Sequence, residues 1–428
     1  MSLNIDVYFD DQIGSAFDEI ASIFNVRRAL SEQLLSSSDK SLEFDSRIRK
    51  NILYLLRQLD VTKEITYECL CEAEALNFAD VSDVFSSAVL AFASGDEQWI
   101  ARIVNVYLQL EDGQMGLVHA LAWLPKSLSS PWIQRFLSSK DLNHKWLAVS
   151  VCVMQGTLPT KKLQELIKRE DCQQHVGLFE RLIFAAGQLK ETSVHPFLRD
   201  AVLHESELIR CTAHWARFMM NDRNFLPKIV EFSLSSNEAF ETLSSWIILG
   251  HSLTDSKKYV AAALNASELA EDLIIQAIAM HGDPATLSWL IKKTENPALA
   301  TWLALAFFQM TGIALDQPSL ALDPQPEIEN LDSSGLFLSQ DMSIPYPNVE
   351  KLLALSDHVV RGFSPNKRHF LGRPVESVSQ IYEQYQSFDL GLIRKYTCIN
   401  SALSGQTYTP FDYLLPSHSE LSVFGWLG

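Results

Sequence analysis

The sequence predicts an all-α protein, an α-solenoid of paired helices, and three observations support this prediction. Helical spacing of apolar residues is common along the chain, whereas strand alternation and hairpin signals are absent. Apolar helical stretches end at turn residues that recur about every 31 residues. Hydrophobic residues make up 47% of the 428 residues and charged residues 20%, as in globular proteins with a large core.

The period begins near residue 116. The turn residues lie 31, 31, 63, 32 and 30 residues apart and are Pro125, Gly156, Gly187, Gly250, Gly282 and Gly312. We expect each glycine to end a helix in the left-handed conformation, which a residue without a Cβ adopts easily. The interval of 63 is two periods, and Asn221 lies at the missing turn. One helix before each turn and a shorter one after it is the pattern of a HEAT-like repeat.

Four segments follow from this pattern. Residues 1–115 are helical but off the period, so we expect an N-terminal helical cap that shields the first repeat from water. Residues 116–312 form the HEAT-like repeats. Residues 313–348 contain 5 of the 16 prolines and form an acidic, proline-rich connector. Residues 349–428 form a small C-terminal module, with helices expected near 348–360, 376–387 and 389–402.

The net charge of −17 is unevenly distributed. The predicted cap carries 20 acidic and 9 basic residues, and the connector carries 6 acidic residues and no basic one. The repeats and the C-terminal module are each electrically balanced. A binder of nucleic-acid backbones needs a clustered basic face, so nucleic acid is an unlikely partner for a chain of this charge.

Signals for chemistry and for targeting are weak. The six cysteines include no C-x-x-C pair, so we expect reduced and mostly buried thiols. The histidines form no metal signature, and no nucleophile elbow, P-loop or Rossmann pattern occurs. We therefore predict no catalytic residue, metal or cofactor. No secretion signal is visible, and the longest apolar run, residues 299–310, is too short to span a bilayer, so we expect a cytoplasmic protein.

Basic residues of the repeats favour the second helices. Twelve of 19 lie in or beside them: Arg135, Lys161, Lys162, Lys168, Arg169, Arg199, Arg223, Lys228, Lys257, Lys258, Lys292 and Lys293. Because second helices usually line the concave surface of such an array, we predict a basic groove for an acidic protein partner. The predicted contacts are Lys161, Lys162, Arg199, Arg223, Lys257, Lys258, Lys292 and Lys293. Alternatively, these residues stabilise helix C-terminal turns through the helix dipole.

The stretch "PNKRHFLGRP", residues 365–374, is the densest basic stretch of the chain. Within thirteen residues without an acid lie Arg361, Lys367, Arg368 and Arg373. A functional interpretation makes Lys367, Arg368 and Arg373 partner contacts that bind phosphate or carboxylate. A structural interpretation has Gly372 fix a tight turn with Pro374, anchored in the core by its apolar neighbours, while the bases pair with the acidic connector. The sequence leaves both open.

The C-terminal pattern resembles a bacterial family. The stretches "IPYPNVEKLLAL" and "FSPNKRHFLGRPV", together with "VFSSAVLAFASGD" near the N-terminus, are similar to HEAT-repeat-like proteins of uncharacterised function that are often encoded beside type VI secretion genes. The family pattern is Arg-aromatic-Leu-x-Gly-x-Pro, and His369 stands here where the aromatic residue is usual. The resemblance implies a secretion context, and the family offers no catalytic residues to carry over.

The predicted function is therefore a non-enzymatic protein-binding scaffold, an adaptor or chaperone for a type VI effector or spike component. One alternative is an immunity protein that masks a toxin. Another is an enzyme on a HEAT-like scaffold, such as a DNA glycosylase, which needs aromatic residues directed at a basic face. Trp215, Trp246 and Trp289 are candidates for that role, although their apolar helical surroundings favour the core.

Overall fold

The computed structural model describes residues 5–32, 39–110, 113–222, 224–292, 299–313, 320, 347–364, 366–375, 399 and 403. These residues are mostly helical, with one short β-hairpin, so the all-α prediction is confirmed. Internal contacts divide them into two compact units, one up to Phe197 and one from Leu198 onwards. Within the same ranges, none of the helices combines the length and the apolarity needed to span a bilayer.

In the first unit, the N-terminal helices pack around the fourth helix and the later ones around the eighth and eleventh. Its bounds are α1 Ile5–Glu32, α2 Asp39–Leu56, α3 Leu59–Leu76, α4 Val81–Ser94, α5 Glu97–Tyr107, α6 Gly113–Trp123, α7 Lys126–Ser138, α8 Leu142–Gln155, α9 Thr160–Leu166, α10 Glu170–Gln174 and α11 Val176–Gln188. Helix α4 contacts α1, α2 and α6, and Phe85 on it stacks on Phe24 at 3.9 Å between ring centroids. Farther along, α8 contacts α6, α7 and α11.

The second unit contains the remaining elements. Their bounds are α12 His195–Ala201, which starts in the first unit and crosses the boundary, α13 Glu207–Met219, α14 Leu226–Ser233, α15 Asn237–Gly250, α16 Leu253–Asn265, α17 Glu271–His281, α18 Leu287–Lys292, α19 Ala300–Thr311, α20 Val349–Gly362, β1 Arg368–Phe370 and β2 Arg373–Val375. Helix α15 contacts α13, α14, α16 and α17, and α17 also contacts α19. Short 3₁₀ turns, Thr192–Val194 and Pro284–Thr286, precede α12 and α18.

Several predicted helix ends are confirmed. Gly156, Gly282 and Gly312 follow α8, α17 and α19 in the left-handed conformation, with φ of 64°, 68° and 71°. Asn221 adopts the same conformation at φ 56°, where the missing turn was predicted. A helix can end at these residues because glycine and asparagine adopt a positive φ at a small cost in free energy.

The left-handed conformation predicted for Gly187 and Gly250 is wrong, because both glycines are helical, although α15 does end at Gly250 as predicted. Gly187 lies inside α11, and Lys190 adopts the left-handed conformation after it, at φ 51°. Gly250 is the last residue of α15. A Cβ there would lie 2.7 Å from Cζ of Phe218, so this glycine accommodates a close aromatic contact and not a turn.

Predictions for the C-terminal part are tested only in places. Helix α20, Val349–Gly362, confirms the helix predicted near 348–360. The connector, apart from residues 313, 320, 347 and 348, lies outside the described residues, as do most of the two later predicted helices. The predicted four-segment division stays a prediction.

Candidate partner-binding surface

The basic stretch forms a β-hairpin that the sequence analysis missed. Strands β1 and β2 pair antiparallel, with Phe370 opposite Arg373. The two residues between them, Leu371 and Gly372, have φ of 46° and 80°, as the type I′ turn of a tight hairpin requires. Strands of three residues are too short to show an alternating pattern, so only the turn was predictable.

The hairpin backbone closes the ends of two helices. The His369 N–H donates to the Gly282 carbonyl oxygen, after α17, over 2.8 Å. At the end of α19, the Leu371 N–H donates to the Gln309 oxygen over 2.7 Å, and the Gly372 N–H to the Met310 oxygen over 3.0 Å. The last carbonyls of a helix have no partner within it. The hairpin supplies those partners and thereby holds the two helix ends together.

Close backbone contact explains the glycines at this junction. A Cβ on Gly282 would lie 2.6 Å from the His369 carbonyl oxygen, and one on Gly312 would lie 2.8 Å from that of Leu371. A Cβ on Gly372 would lie 2.6 Å from the Thr311 oxygen. Real Cβ atoms do not approach oxygen so closely, so each position requires glycine for space as well as for its positive φ.

Arg368 is buried and binds the backbone of α15. Its side chain is 8% exposed, and Nη2 donates to the carbonyl oxygen of Ile248, near the end of α15, over 2.9 Å. The hairpin therefore engages a third helix through this guanidinium. The prediction of Arg368 as a partner contact is corrected by this burial, and for this residue the structural interpretation of the basic stretch holds.

His369 fixes the loop that leads into the hairpin. Its Nδ1 donates to the Lys367 carbonyl over 3.0 Å, and Nε2 accepts from the Ser364 N–H over 3.2 Å. The ring stacks on Phe363 with 4.3 Å between centroids. Burial lowers the pKa of His369, which agrees with a neutral ring that donates from one nitrogen and accepts at the other.

Exposed lysines lie beside the docked hairpin. On α16, Lys257 is 67% exposed, and its Nζ lies 3.2 Å from Oδ2 of Asp283. Lys367 is exposed and directly precedes the hairpin, whose His369 N–H donates to the carbonyl oxygen of Gly282, the residue before Asp283. Lys258, next on α16, is exposed and pairs with Asp255 at 3.4 Å. We call Lys257, Lys258 and Lys367 the basic edge.

The other predicted contacts are distributed over both units. In the first unit, Lys161 is exposed, and Nζ of Lys162 lies 2.9 Å from Glu165. In the second unit, the exposed members are Arg199, Lys292 and Arg373. Arg223 and Lys293 lie outside the described residues. A continuous groove through all of these positions stays a prediction.

Helix-dipole stabilisation explains only some of these basic residues. Arg199 and Lys292 do lie in the last turns of α12 and α18. In contrast, the last turns of α9 and α16 contain no basic residue, although Lys161, Lys162, Lys257 and Lys258 lie on these helices. A cation gains from the helix dipole only near the C-terminal end. The lysines of α9 and α16 therefore need another explanation.

The remaining chemical candidates are mostly core residues. Trp215 and Trp246 are buried, as predicted, and meet edge to face at 5.6 Å between ring centroids. The core position predicted for Trp289 is wrong, because this residue is 37% exposed at a pocket of about 80 Å³. Burial raises the pKa of Cys152 to about 11 and that of Cys211 to about 12, so both are protonated thiols at neutral pH. Within the described ranges, no group of three or more His, Cys, Asp or Glu side chains is placed to hold a metal ion.

Comparisons with protein-family models, with curated proteins and with solved structures found no match to this chain. The class of protein is thus described by its structure alone: a mostly helical protein in which exposed lysines lie beside a short β-hairpin. The resemblance to the family encoded near type VI secretion genes stays a prediction.

Proposed function

We propose that the protein is a non-enzymatic scaffold that binds an acidic protein partner at the basic edge. The observation that supports this proposal is that the hairpin, which Lys367 directly precedes, docks beside α16: Lys257 contacts Asp283, and the His369 N–H donates to Gly282, the residue before Asp283. Both lysines are exposed, and Lys257 lies outside the last turn of α16, where the helix dipole would account for a cation. Complementary charge of this kind steers association and selects among partners.

The proposed architecture is a HEAT-like α-solenoid of paired helices with a period of about 31 residues. Left-handed residues followed by a short helix support it. Gly156 precedes α9, Lys190 precedes α12, Asn221 precedes α14 and Gly282 precedes α18. Stacked helix pairs present long surfaces suited to protein partners, and such a surface needs no catalytic chemistry.

The proposed setting is the bacterial cytoplasm, where the protein serves type VI secretion as an adaptor or chaperone. The C-terminal stretch quoted above supports this setting by its resemblance to a family encoded near type VI secretion genes. The partner is then a secreted effector or a component of the secretion spike.

Affinity purification combined with cross-linking mass spectrometry tests the proposal. The tagged full-length protein is expressed in a type VI-competent host and compared with the triple variant Lys257→Glu/Lys258→Glu/Lys367→Glu. Lys140→Glu is the matched control, because Lys140 is exposed and lies in the first unit. We expect a spike protein or effector-loading factor, cross-linked at Lys257 or Lys367, with the natural sequence and the control. Charge reversal should reduce its recovery by about tenfold or more, a loss of about 1.4 kcal/mol.

Other outcomes would replace the proposal. Recovery of a single toxin would identify an immunity protein. Equal recovery of the partner with the natural sequence, the triple variant and Lys140→Glu would show that the basic edge is not part of the binding surface. Binding of duplex DNA that weakens as salt is raised favours the glycosylase alternative. Recovery of nothing above background contradicts the scaffold.

A further inference from the structure

The turn between α3 and α4 exposes two large apolar side chains. Leu76, the last residue of α3, is 64% exposed, and Phe78 is 53% exposed. Single exposed apolar residues are ordinary on protein surfaces. Two of them in one tight turn form a concentrated apolar surface, and such surfaces mark interaction sites. We call Leu76 and Phe78 the apolar turn.

The backbone of this turn is fixed by hydrogen bonds. Asn77 is left-handed at φ 50°, and its N–H donates to the Glu74 carbonyl oxygen over 3.4 Å. The Phe78 N–H donates to the Ala73 carbonyl oxygen over 3.2 Å, which completes a Schellman motif. Asp80 then caps the start of α4 with its side chain. Side chains presented on a fixed backbone lose less conformational entropy when a partner binds them.

The Schellman motif does not account for the exposure of Phe78. The apolar residue at this position commonly packs on the side chain at the third position from the helix end. That residue is Ala73, which is itself buried and offers a single methyl group. More than half of the Phe78 side chain therefore stays in water, although the backbone around it is ordered by hydrogen bonds.

A row of glutamates leads along α3 to the apolar turn. Glu64, Glu68 and Glu72 are exposed and lie four residues apart, and Leu76 follows at the same spacing. Residues at this spacing lie on one face of a helix, where like charges destabilise it. Glu74, in the last turn, is opposed by the helix dipole as well. We call Glu64, Glu68 and Glu72 the glutamate row, and its charges are a cost to the isolated helix.

No described basic residue pairs with the glutamate row. Residues 58–101 contain nine acidic residues and one basic residue, Lys63. Lys63 binds Asp96, with 2.6 Å between Nζ and Oδ2. A partner that brings positive charge to this face of α3 therefore gains electrostatic attraction and offsets the repulsion within the row.

We propose that the apolar turn and the glutamate row together bind a basic amphipathic helix of a protein partner. Glu64 and Leu76 are twelve residues apart, about 18 Å at the helical rise of 1.5 Å per residue. A partner helix of that length, laid along α3, places lysines or arginines at a spacing of four residues opposite the glutamates. Its apolar side chain at one end meets the turn. This surface lies in the first unit and does not depend on the basic edge.

Binding of a synthetic peptide tests the surface. The fluorescent peptide is an alanine-based helix with lysine at every fourth position and a leucine at one end. Versions with the leucine at either end cover both orientations, and a matched peptide carries glutamate in place of lysine. Fluorescence anisotropy with the full-length protein gives Kd. We expect the lysine peptide to bind about tenfold or more tightly than the glutamate peptide at low salt, and to weaken as salt is raised.

Two double variants test the two parts of the surface. Leu76→Ser/Phe78→Ser removes the apolar turn and should weaken binding of the lysine peptide by about tenfold or more. Glu68→Gln/Glu72→Gln neutralises most of the row and should weaken it by about threefold or more at low salt. Because the second variant removes repulsion along α3, its Tm should be unchanged or higher. Weaker binding without a lower Tm separates a binding role from a loss of folding.

Matched controls lie elsewhere in the first unit. Val176 is 43% exposed and Glu170 is exposed. Val176→Ser and Glu170→Gln should bind the lysine peptide as the natural sequence does.

Photo-cross-linking locates the bound peptide. The leucine of the lysine peptide is replaced by photo-leucine, and the cross-linked protein is digested with trypsin. Because no basic residue lies between Lys63 and Arg102, residues 64–102 are released as one fragment. We expect the cross-link in this fragment, at the apolar turn. A cross-link confined to other fragments would place the peptide elsewhere and overturn the proposal.

Four further results would overturn it. Equal binding by the natural sequence and both double variants would mean that the net charge of −17 attracts basic peptides without a defined site. Equal binding of the lysine and glutamate peptides would mean that the turn accepts apolar segments of any charge. Absence of binding at low salt would exclude a basic helix. Self-association that Leu76→Ser/Phe78→Ser abolishes would assign the turn to a second copy of this chain.

Discussion

Two helix ends, one in each unit, carry the same residue for different reasons. Gly95 ends α4 in the first unit and Gly282 ends α17 in the second, both left-handed, at φ 73° and 68°. A Cβ on Gly95 would have no other atom within 4 Å. A Cβ on Gly282 would lie 2.6 Å from the carbonyl oxygen of His369. Backbone conformation alone accounts for Gly95. Gly282 is required also because a distant segment docks on it.

The largest expected change in the free energy of unfolding comes from a comparison of two single variants, in which Gly95 or Gly282 is replaced by alanine. Gly95→Ala should cost about 1 kcal/mol, because the left-handed conformation is strained in alanine. Gly282→Ala should cost about 2–4 kcal/mol, because overlap with the hairpin adds about 1–3 kcal/mol to the same strain. Urea unfolding followed by thiol labelling separates the units, since Cys152 is buried in the first and Cys211 in the second. Equal losses in the two variants would show that the hairpin does not press on Gly282.

The sequence predicted the left-handed conformation of Gly156, Gly282 and Gly312 but not the contacts around them. Helix stops at Gly95, Gly156, Gly282 and Gly312 follow from local rules, because an apolar helical stretch ends at a residue that tolerates positive φ. Gly250 obeys no such rule. It is explained by Phe218, about one period earlier in the sequence, whose ring leaves no room for a Cβ.

The hairpin was hidden for a similar reason. Its strands are three residues long, and its hydrogen-bond partners are helix ends at Gly282, Gln309 and Met310. Leu371 has a φ of 46°, which leucine rarely adopts. In this conformation the Leu371 N–H donates to the Gln309 carbonyl oxygen. No local sequence pattern predicts this hydrogen bond, because its two residues are far apart in the chain. Likewise, the sequence offered Lys257 and Lys367 as separate candidates, and only the fold brings the hairpin that follows Lys367 to Gly282, beside the Asp283 that Lys257 contacts.

Acid should weaken the second unit through His281, at the end of α17 beside the hairpin. The ring is 1% exposed, its Nδ1 lies 3.0 Å from Ser256 Oγ, and its Nε2 is enclosed. The pKa of His281 is lowered to about 4, mainly by burial; the charges of Arg368 and Lys257 act in the same direction, and that of Asp283 opposes them. The unfolded chain therefore binds this proton at higher pH than the folded one, so stability is complete above about pH 6.5 and falls towards about pH 4.

Between pH 7 and about pH 5 the loss from His281 should be about 2 kcal/mol. Urea unfolding at a series of pH values, followed by circular dichroism, measures it against His281→Gln, which cannot take up the proton. The variant should keep the acid sensitivity that comes from His119, a first-unit residue whose pKa is also lowered to about 4 by burial. Identical pH slopes in the variant and the natural sequence would exclude His281 as a source of acid sensitivity.

The smallest expected change in the free energy of unfolding comes from the basic stretch, where Arg368 is buried and Arg373 is exposed. Arg368→Met keeps an apolar stem but removes the donor to the Ile248 carbonyl, so it should cost about 1–2 kcal/mol. Arg373→Met, on the opposite strand and exposed, should change the free energy of unfolding by less than about 0.5 kcal/mol. Hydrogen exchange should show faster opening of the His369 and Leu371 amides in the first variant only. If both variants behave alike, Arg368 does not hold the hairpin to α15. If they differ as expected, Arg368 positions the hairpin that carries Lys367, and a partner meets the lysine while the arginine stays inside.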